Sequence, residues 1–386
     1  MLVDNAPPMS DCPIAGPDPP DRPGIDCSVL MPVLNEERHI ASSVDAMQRQ
    51  QFPGQLEFLV VDGGSTDRTR EILEQLAALD GRIRIFDNPR RIASSGLNVG
   101  LRHARGRWVA RMDAHTKYPV DYLARGVERL EAGGTRWVSG PPIATGGHGV
   151  SRAVTLALAT PLGRGGSRKW AAERSDRSEY ELDAGVFAGV WERVTLLEYG
   201  GWDERWARNQ DSEMAGRFTA RGERLICIPA MAAEYVPRDS IGGLWRQYLQ
   251  YGEFRAKTAA AHPNTMRRSH LLAPAIVVTT ISAALAPAAP RRLARWAVAT
   301  YLMTLLAAGA FAASSGESLG DASRVPVVLA TMHYGHGLGM VIGAVRHGPP
   351  LAAFARAVGL GALAARLPSS SGDVFAPSLS GEPASR

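Results

Sequence analysis

Three short segments hold the acidic residues best placed to do chemistry. Asp62 closes the apolar run in LVVDGGSTDRTREI, Asp113 lies in RMDAHTKYP, and Asp211 and Glu213 lie in RNQDSEMAGR. A carboxylate at the end of a buried strand, followed by Gly63 and Gly64, suits a flat ring lying over the turn, because glycine allows close approach to the backbone. Asp62 would accept from the N–H of that ring, and a uracil or guanine base would serve. The Gly-x-Gly-x-x-Gly spacing of a dinucleotide turn is absent. Taken alone, Asp62 could equally be a turn residue.

Asp113 and His115 stand two residues apart, which puts carboxylate and imidazole on one side of an extended segment. That pair suits Mn²⁺ or Mg²⁺, the carboxylate especially Mg²⁺. A divalent ion there would bridge the phosphates of a nucleotide diphosphate and stabilise it as a leaving group. Inverting glycosyl transfer also needs a carboxylate to take the acceptor's proton. Asp211 and Glu213 are both placed for it, and spacing does not choose between them. A favourable charge at a helix N-terminus would account for Glu213 equally well.

The elements that must position these groups alternate. CSVLMPV, LEFLVV, RIRIF, RWVARMD and RWVSG read as strands. Residues 35–50, 66–79, 94–105, 119–132 and 209–222 read as helices. Alternation of this kind predicts an α/β, doubly wound, mostly parallel sheet. Ligands of such sheets sit at the carboxyl ends of the strands, so Asn35, Asp62 and Asp113 can share one crevice.

With 386 residues, 45% of them hydrophobic, the chain can form one large domain and an appendage. The net charge of +5 is spread out, with no aromatic-interleaved basic patch, which argues against a nucleic-acid partner. Cys12, Cys27 and Cys227 have no metal-ligand spacing and read as isolated thiols. Residues 1–26 carry seven prolines and no apolar run, and are expected to be a disordered leader. The Pro/Ser-rich end, 367–386, is expected to be disordered too.

Three apolar stretches, 271–289, 296–313 and 325–345, approach the roughly 20 residues needed to span a bilayer. They predict a multi-pass protein of the cell membrane with two or three transmembrane helices in 263–366. The arginines refine this. Spanning by the first stretch would put Arg291, Arg292 and Arg295 outside, against the positive-inside rule. The expectation is therefore that 271–289 is re-entrant or interfacial and that the other two stretches span. The acidic loop 315–323 would then be external and Arg346 cytosolic. Before them, a helix at about 240–261 carries the stripe Ile241, Leu244, Trp245, Tyr248 and Leu249, which could face a membrane surface or the preceding domain.

SVLMPVLNEERHI, LVVDGGSTDRTREI, DNPRRIASSGLNVGLRHARG, RMDAHTKYP and RNQDSEMAGR together resemble the successive motifs of family 2 glycosyltransferases, which have the GT-A fold. The similarity is greatest to the branch typified by the succinoglycan (ExoA-type) glucosyltransferases, and it runs from about Ser28 to Gly343. It implies an inverting transferase in exopolysaccharide or cell-envelope glycan synthesis, with its GT-A domain over 27–262 facing the cytoplasm. Pro32, Asn35, Glu36 and Asp62 would hold the nucleotide-diphosphate sugar, a UDP-sugar for preference. Arg91 would lie beside the base or phosphates. Asp113 would bind Mg²⁺ or Mn²⁺, with His115 where most members have a second acid, and Asp211 would be the base. Processive members carry Gln-x-x-Arg-Trp; here Gln247 is followed by Gln250 and Tyr251, which implies addition of a single sugar. The acceptor implied is a lipid-linked saccharide, and residues 141–185 would shape its side of the site.

Three rivals remain at this stage. A polyprenyl-phosphate sugar synthase would need no general base. A nucleotidyltransferase would want glycines after the first strand, and PVLNEE has none. A non-catalytic, nucleotide-sugar-binding membrane protein would have no use for both Asp113 and Asp211.

Overall fold

The computed structural model describes residues 24–165, 167, 178–182 and 188–367. The leader up to residue 23, the tail from 368 and most of 166–187 lie outside the described residues, so the expectations for those segments are not addressed below.

Eleven strands occur among the described residues: β1 Cys27–Val33, β2 Leu56–Asp62, β3 Ile83–Asp87, β4 Trp108–Arg111, β5 Thr116–Lys117, β6 Trp137–Ser139, β7 Pro142–Ala144, β8 Tyr180–Leu182, β9 Gly189–Glu192, β10 Leu225–Cys227 and β11 Ala233–Tyr235. Eight form one sheet in the order β3-β2-β1-β4-β9-β6-β10-β8, and β5-β11-β7 form a small second sheet. β3, β2, β1 and β4 are parallel, as are β6 and β10. β9 enters antiparallel between β4 and β6, and β8 is an antiparallel edge. Not foreseen from the sequence were β8, β9, β10 and the small sheet, whose strands have two to four residues and show little periodicity.

Helices cover both faces of the large sheet, which is why β1 and β2 read as nearly continuous apolar runs. Alternate residues go to opposite sides. Val29, Met31, Phe58 and Val60 pack with Ile40, Val44, Leu73 and Leu123 on one face. Leu30 and Leu59 pack with Leu97, Leu101, Trp137, Trp191, Trp202 and Phe218 on the other. The first helix is shorter than expected, Ile40–Gln48. Residues 35–37 instead spend their backbone N–H groups on the next loop, as described below.

The apolar C-terminal region forms three helical segments long and apolar enough to cross a membrane, Arg268–Leu285, Ala288–Ser314 and Leu319–His347. They differ in their surroundings. The hydrophobic windows of the first two are 6% and 17% buried, that of the third 50%. Two contacts hold the loop after the second segment. Glu317 of the acidic loop is ion-paired with Arg152 of the helix Gly149–Ala159, and the N–H of Gly149 donates to Asp321 Oδ1 at 2.8 Å. That helix begins five residues after β7, so the acidic loop packs beside the α/β unit. Three residues of the apolar stripe of Ile241–Ala261, namely Ile241, Leu244 and Tyr248, pack in one cluster with Val325, Val328, Leu329 and Met332 of the helix Val325–His347.

Candidate active site

The end of β2 is a loop held by its own neighbours. Asp62 is 3% exposed, and its Oδ1 accepts from the N–H of Ser65 at 3.1 Å and from Ser65 Oγ at 2.6 Å. Gly64 adopts φ +74°, which lets the chain turn back over the strand end. The loop after β1 is stitched to this turn. Asn35, at φ +55°, donates its N–H to Ser65 Oγ at 2.9 Å, and its Oδ1 accepts from the N–H of Thr66 at 2.8 Å. The N–H of Glu36 donates to Thr69 Oγ1 at 2.7 Å. Arg91, at φ +59°, brings its backbone against Gly63 and its guanidinium towards Gly64. Asn35, Asp62 and Arg91 thus meet around the turn at Gly63 and Gly64. Pro32, by contrast, packs against Gly96 of the neighbouring helix.

The end of β4 is built differently. Arg111, 6% exposed at its side chain, donates from Nε and Nη2 to the two oxygens of Asp113 at 2.8 and 3.0 Å. Its Nη1 donates to Asp211 Oδ1 at 2.7 Å. Asp211 reaches this point from the first turn of the helix Gln210–Ala220, which starts after Asn209 at φ +59°. Burial works against the Arg111 charge, but the fields of Asp113 and Asp211 outweigh it and hold the guanidinium above its usual pKa. Asp113 also donates its N–H to Tyr118 Oη at 2.9 Å. Burial, and then the Asp113 charge, push the Tyr118 hydroxyl well up. Arg111 went unnoticed in the sequence, although an arginine ending an otherwise apolar strand, WVARMD, is the signal that could have found it.

His115 is paired with Glu36. Its Nδ1 lies 3.3 Å from Glu36 Oε1, and its side chain is 54% exposed. The hydrogen bond to Glu36 raises the imidazole pKa, with burial opposing. Glu36, expected beside the nucleotide, is therefore at least in part a partner of His115. Glu213 is separated from Asp211 just as clearly. It is 2% exposed, accepts from Arg217 Nε and Nη2 at 2.8 and 2.9 Å, and faces His262 Nε2 at 3.2 Å. Two acids in one helical turn thus have two environments, one a closed ion-pair cluster and the other the crevice at the end of β4.

No group of three or more His, Cys, Asp or Glu at metal-binding spacing occurs among the described residues. That composition still fits an ion of the Mg²⁺ type, which keeps several waters and is held by one or two carboxylates together with substrate phosphates. Asp113, at a strand end with its side chain 13% exposed, is placed to be such a carboxylate.

Comparison with known proteins places this arrangement. The sequence profile of glycosyl transferase family 2 matches residues 28–180. The succinoglycan biosynthesis protein ExoA of Rhizobium meliloti (strain 1021) is 32% identical over 236 residues, 61% of this chain and 70% of the relative. The chain belongs to glycosyl transferase family 2. A dolichyl N-acetyl-α-D-glucosaminyl phosphate 3-β-D-2,3-diacetamido-2,3-dideoxy-β-D-glucuronosyltransferase of Methanococcus voltae is 25% identical to this glycosyltransferase, over 58% of its chain and 71% of the relative. Among solved structures, the mannosyltransferase PcManGT from Pyrobaculum calidifontis, in complex with GDP-Man and Mn²⁺, superposes with a TM-score of 0.52. It is 19% identical, over 82% of this chain and 88% of that one. The GT-A type of fold and membership of a family of glycan-building transferases follow.

Proposed function

We propose that the chain is an inverting, single-sugar glycosyltransferase that moves a sugar from a nucleotide-diphosphate sugar to a lipid-linked saccharide. The observation that carries this reading is the meeting of Asp113 and Asp211 on the buried guanidinium of Arg111 at the carboxyl end of β4. Residues 27–262 are the catalytic unit, on the cytosolic side where nucleotide sugars occur, and 263–366 are the membrane region.

Asn35, Asp62 and Arg91 border the pocket for the base and phosphates of a UDP-sugar, with Pro32 and Glu36 supporting its walls. Asp113 would hold a divalent cation, Mn²⁺ or Mg²⁺, and His115 would assist from the neighbouring loop without being a required ligand. When bound, the ion neutralises the charge of the departing diphosphate. Asp211 takes the proton of the acceptor hydroxyl, the freed oxygen lone pair forms the bond to the anomeric carbon, and the electrons of the breaking bond leave on the diphosphate oxygen. Arg111 aims the Asp211 carboxylate through the bond from Nη1. Gln250 and Tyr251, in place of the Arg and Trp of processive relatives, favour one addition per encounter. The Mn²⁺ and GDP-Man of the mannosyltransferase structure support a nucleotide-sugar donor with a divalent metal, and the dolichyl phosphate in the name of the Methanococcus voltae relative supports a lipid-linked acceptor.

The test is to incubate membranes containing the protein with labelled UDP- and GDP-sugars, with Mn²⁺ or with excess chelator. Label is expected in a lipid-extractable saccharide, from a UDP-sugar, and only with the metal. Full activity in chelator would overturn the metal site. Label on a bare lipid phosphate, unaffected by Asp211→Asn, would overturn the acceptor and the base together.

A further inference from the structure

The three apolar helical segments invite three membrane crossings, but the packing of the third along Ile241–Ala261 argues for another arrangement. Val325–His347 runs parallel to Ile241–Ala261. Gly335 meets Trp245 and Tyr248, Gly339 meets Leu249 and Gly252, and Gly343 meets Glu253 and Ala256. A Cβ at Gly252 would collide with the carbonyl oxygen of His336, so the two backbones are in direct contact. Ala288–Ser314 is aligned with the same pair in the opposite direction. Gly309 lies against Ala322 and Pro326, and Tyr301 Oη is 2.9 Å from His333 Nδ1. Three helices therefore share one axis.

That axis is tied to the catalytic unit at both ends. Ile241 follows β11 after five residues. At the other end Trp206 Nε1 donates to Thr258 Oγ1 at 2.9 Å, and Lys257 Nζ donates to the Arg205 carbonyl at 2.6 Å. The outer face of Ile241–Ala261 is polar, with Arg246 and Gln250 exposed. If the shared axis lay along a bilayer normal, this face and the catalytic unit beside it would enter hydrocarbon about 30 Å thick. A charged side chain there costs several kcal/mol by the lowest scales. The axis must lie in the membrane plane. The hairpin's two ends agree with this. Arg268, at its start, donates from Nε to the Ala357 carbonyl at 3.1 Å, and Asp321, just past its end, accepts from the N–H of Gly149. Between them Val278, Ile281, Trp296, Met303, Leu306 and Phe311 are apolar and 54–73% exposed, with only Thr300 and Thr304 as exposed polar residues between Trp296 and Phe311.

We propose that this glycosyltransferase is monotopic: the hairpin Leu272–Ser314 lies in the near leaflet, its apolar side among acyl chains, and no segment crosses the bilayer. The inference rests on the proposed membrane association and replaces the multi-pass expectation. A helix about 10 Å across fits within one leaflet. The tip arginines Arg291, Arg292 and Arg295 stay at the headgroups of the same side, where anionic lipid attracts them.

The test uses the full chain with Cys12→Ser, since Cys27 and Cys227 are buried. Single cysteines are placed at three exposed positions: Leu79→Cys in the catalytic unit, Arg292→Cys at the hairpin tip and Leu319→Cys in the acidic loop. An impermeant maleimide is applied to intact cells and to inverted membrane vesicles. All three positions are expected to label from one and the same side, the inverted vesicles. Position 292 labelling from the side opposite to 79, or from neither side, would overturn the monotopic arrangement, as would 319 opposing 79. All three labelling only in intact cells would overturn the cytosolic orientation and leave the monotopic inference standing. Protein released by carbonate washing would overturn the membrane association itself.

Discussion

The two strand ends that frame the crevice satisfy their carboxylates over very different distances. Asp62, at β2, is bonded to Ser65, three residues away. At β4, Arg111 binds the adjacent Asp113 and also Asp211, one hundred residues away. The first turn depends on its own local chain and on one neighbouring loop. The second exists only when β4, the antiparallel β9 and the helix Gln210–Ala220 are all in place. A local turn can lose one hydrogen bond and keep its shape. A buried guanidinium between two carboxylates cannot lose its charge without leaving the others uncompensated.

Substitutions can break or sharpen this contrast. The largest effect is expected from Asp211→Asn, which should lower turnover by roughly 10² to 10⁴, the usual worth of a positioned base, with little change in nucleotide affinity. Near-normal turnover on a saccharide acceptor would remove Asp211 from the base role.

Next comes Arg111→Met, which leaves Asp113 and Asp211 buried without their cation. Loss of one partner of a buried pair costs about 3–5 kcal/mol, and denaturant unfolding should show it. Saturating Mn²⁺ should recover about 2–3 kcal/mol by binding the folded state at a hundredfold excess over its dissociation constant. A variant as stable as the parent would show that the long-range cluster is not the weak point assumed here.

Glu213→Gln should act in the opposite sense to Asp211→Asn. It weakens the cluster with Arg217 and His262, at about 1–3 kcal/mol of stability, and leaves kcat of the folded enzyme near the parent value. A collapse of kcat at unchanged stability would exchange the roles assigned to the two acids. The smallest effect is expected at the local turn. Ser65→Ala removes one bond to Asp62 and one to Asn35, about 1 kcal/mol in stability, with a few-fold loss of nucleotide affinity by calorimetric titration. A loss as large as that of Arg111→Met would erase the distinction between the two strand ends.

Much of the catalytic half could be read without coordinates. Strand and helix periods, the glycines after Asp62 and the positions of Asp62, Asp113 and Asp211 at element ends depend on a few adjacent residues, and local spacing records them. The short antiparallel β9 left no such record, so the neighbour of β4 could not be foreseen. Nor could the pairing of His115 with Glu36, because their separation in the chain carries no information about which loops will meet.

What the sequence by itself determined was therefore the alternating α/β order, the acids at the strand ends and an apolar C-terminal third. Only the tertiary structure decided that Arg111 joins two of those acids, that Glu213 is closed off by Arg217 and His262, and that Val325–His347 lies along Ile241–Ala261. The physical reason is the same in each case. A carboxylate is stabilised by any cation that arrives, and an apolar helix is removed from water equally well by lipid or by another helix. Side-chain chemistry specifies the need for a partner, and the packing of distant segments supplies it.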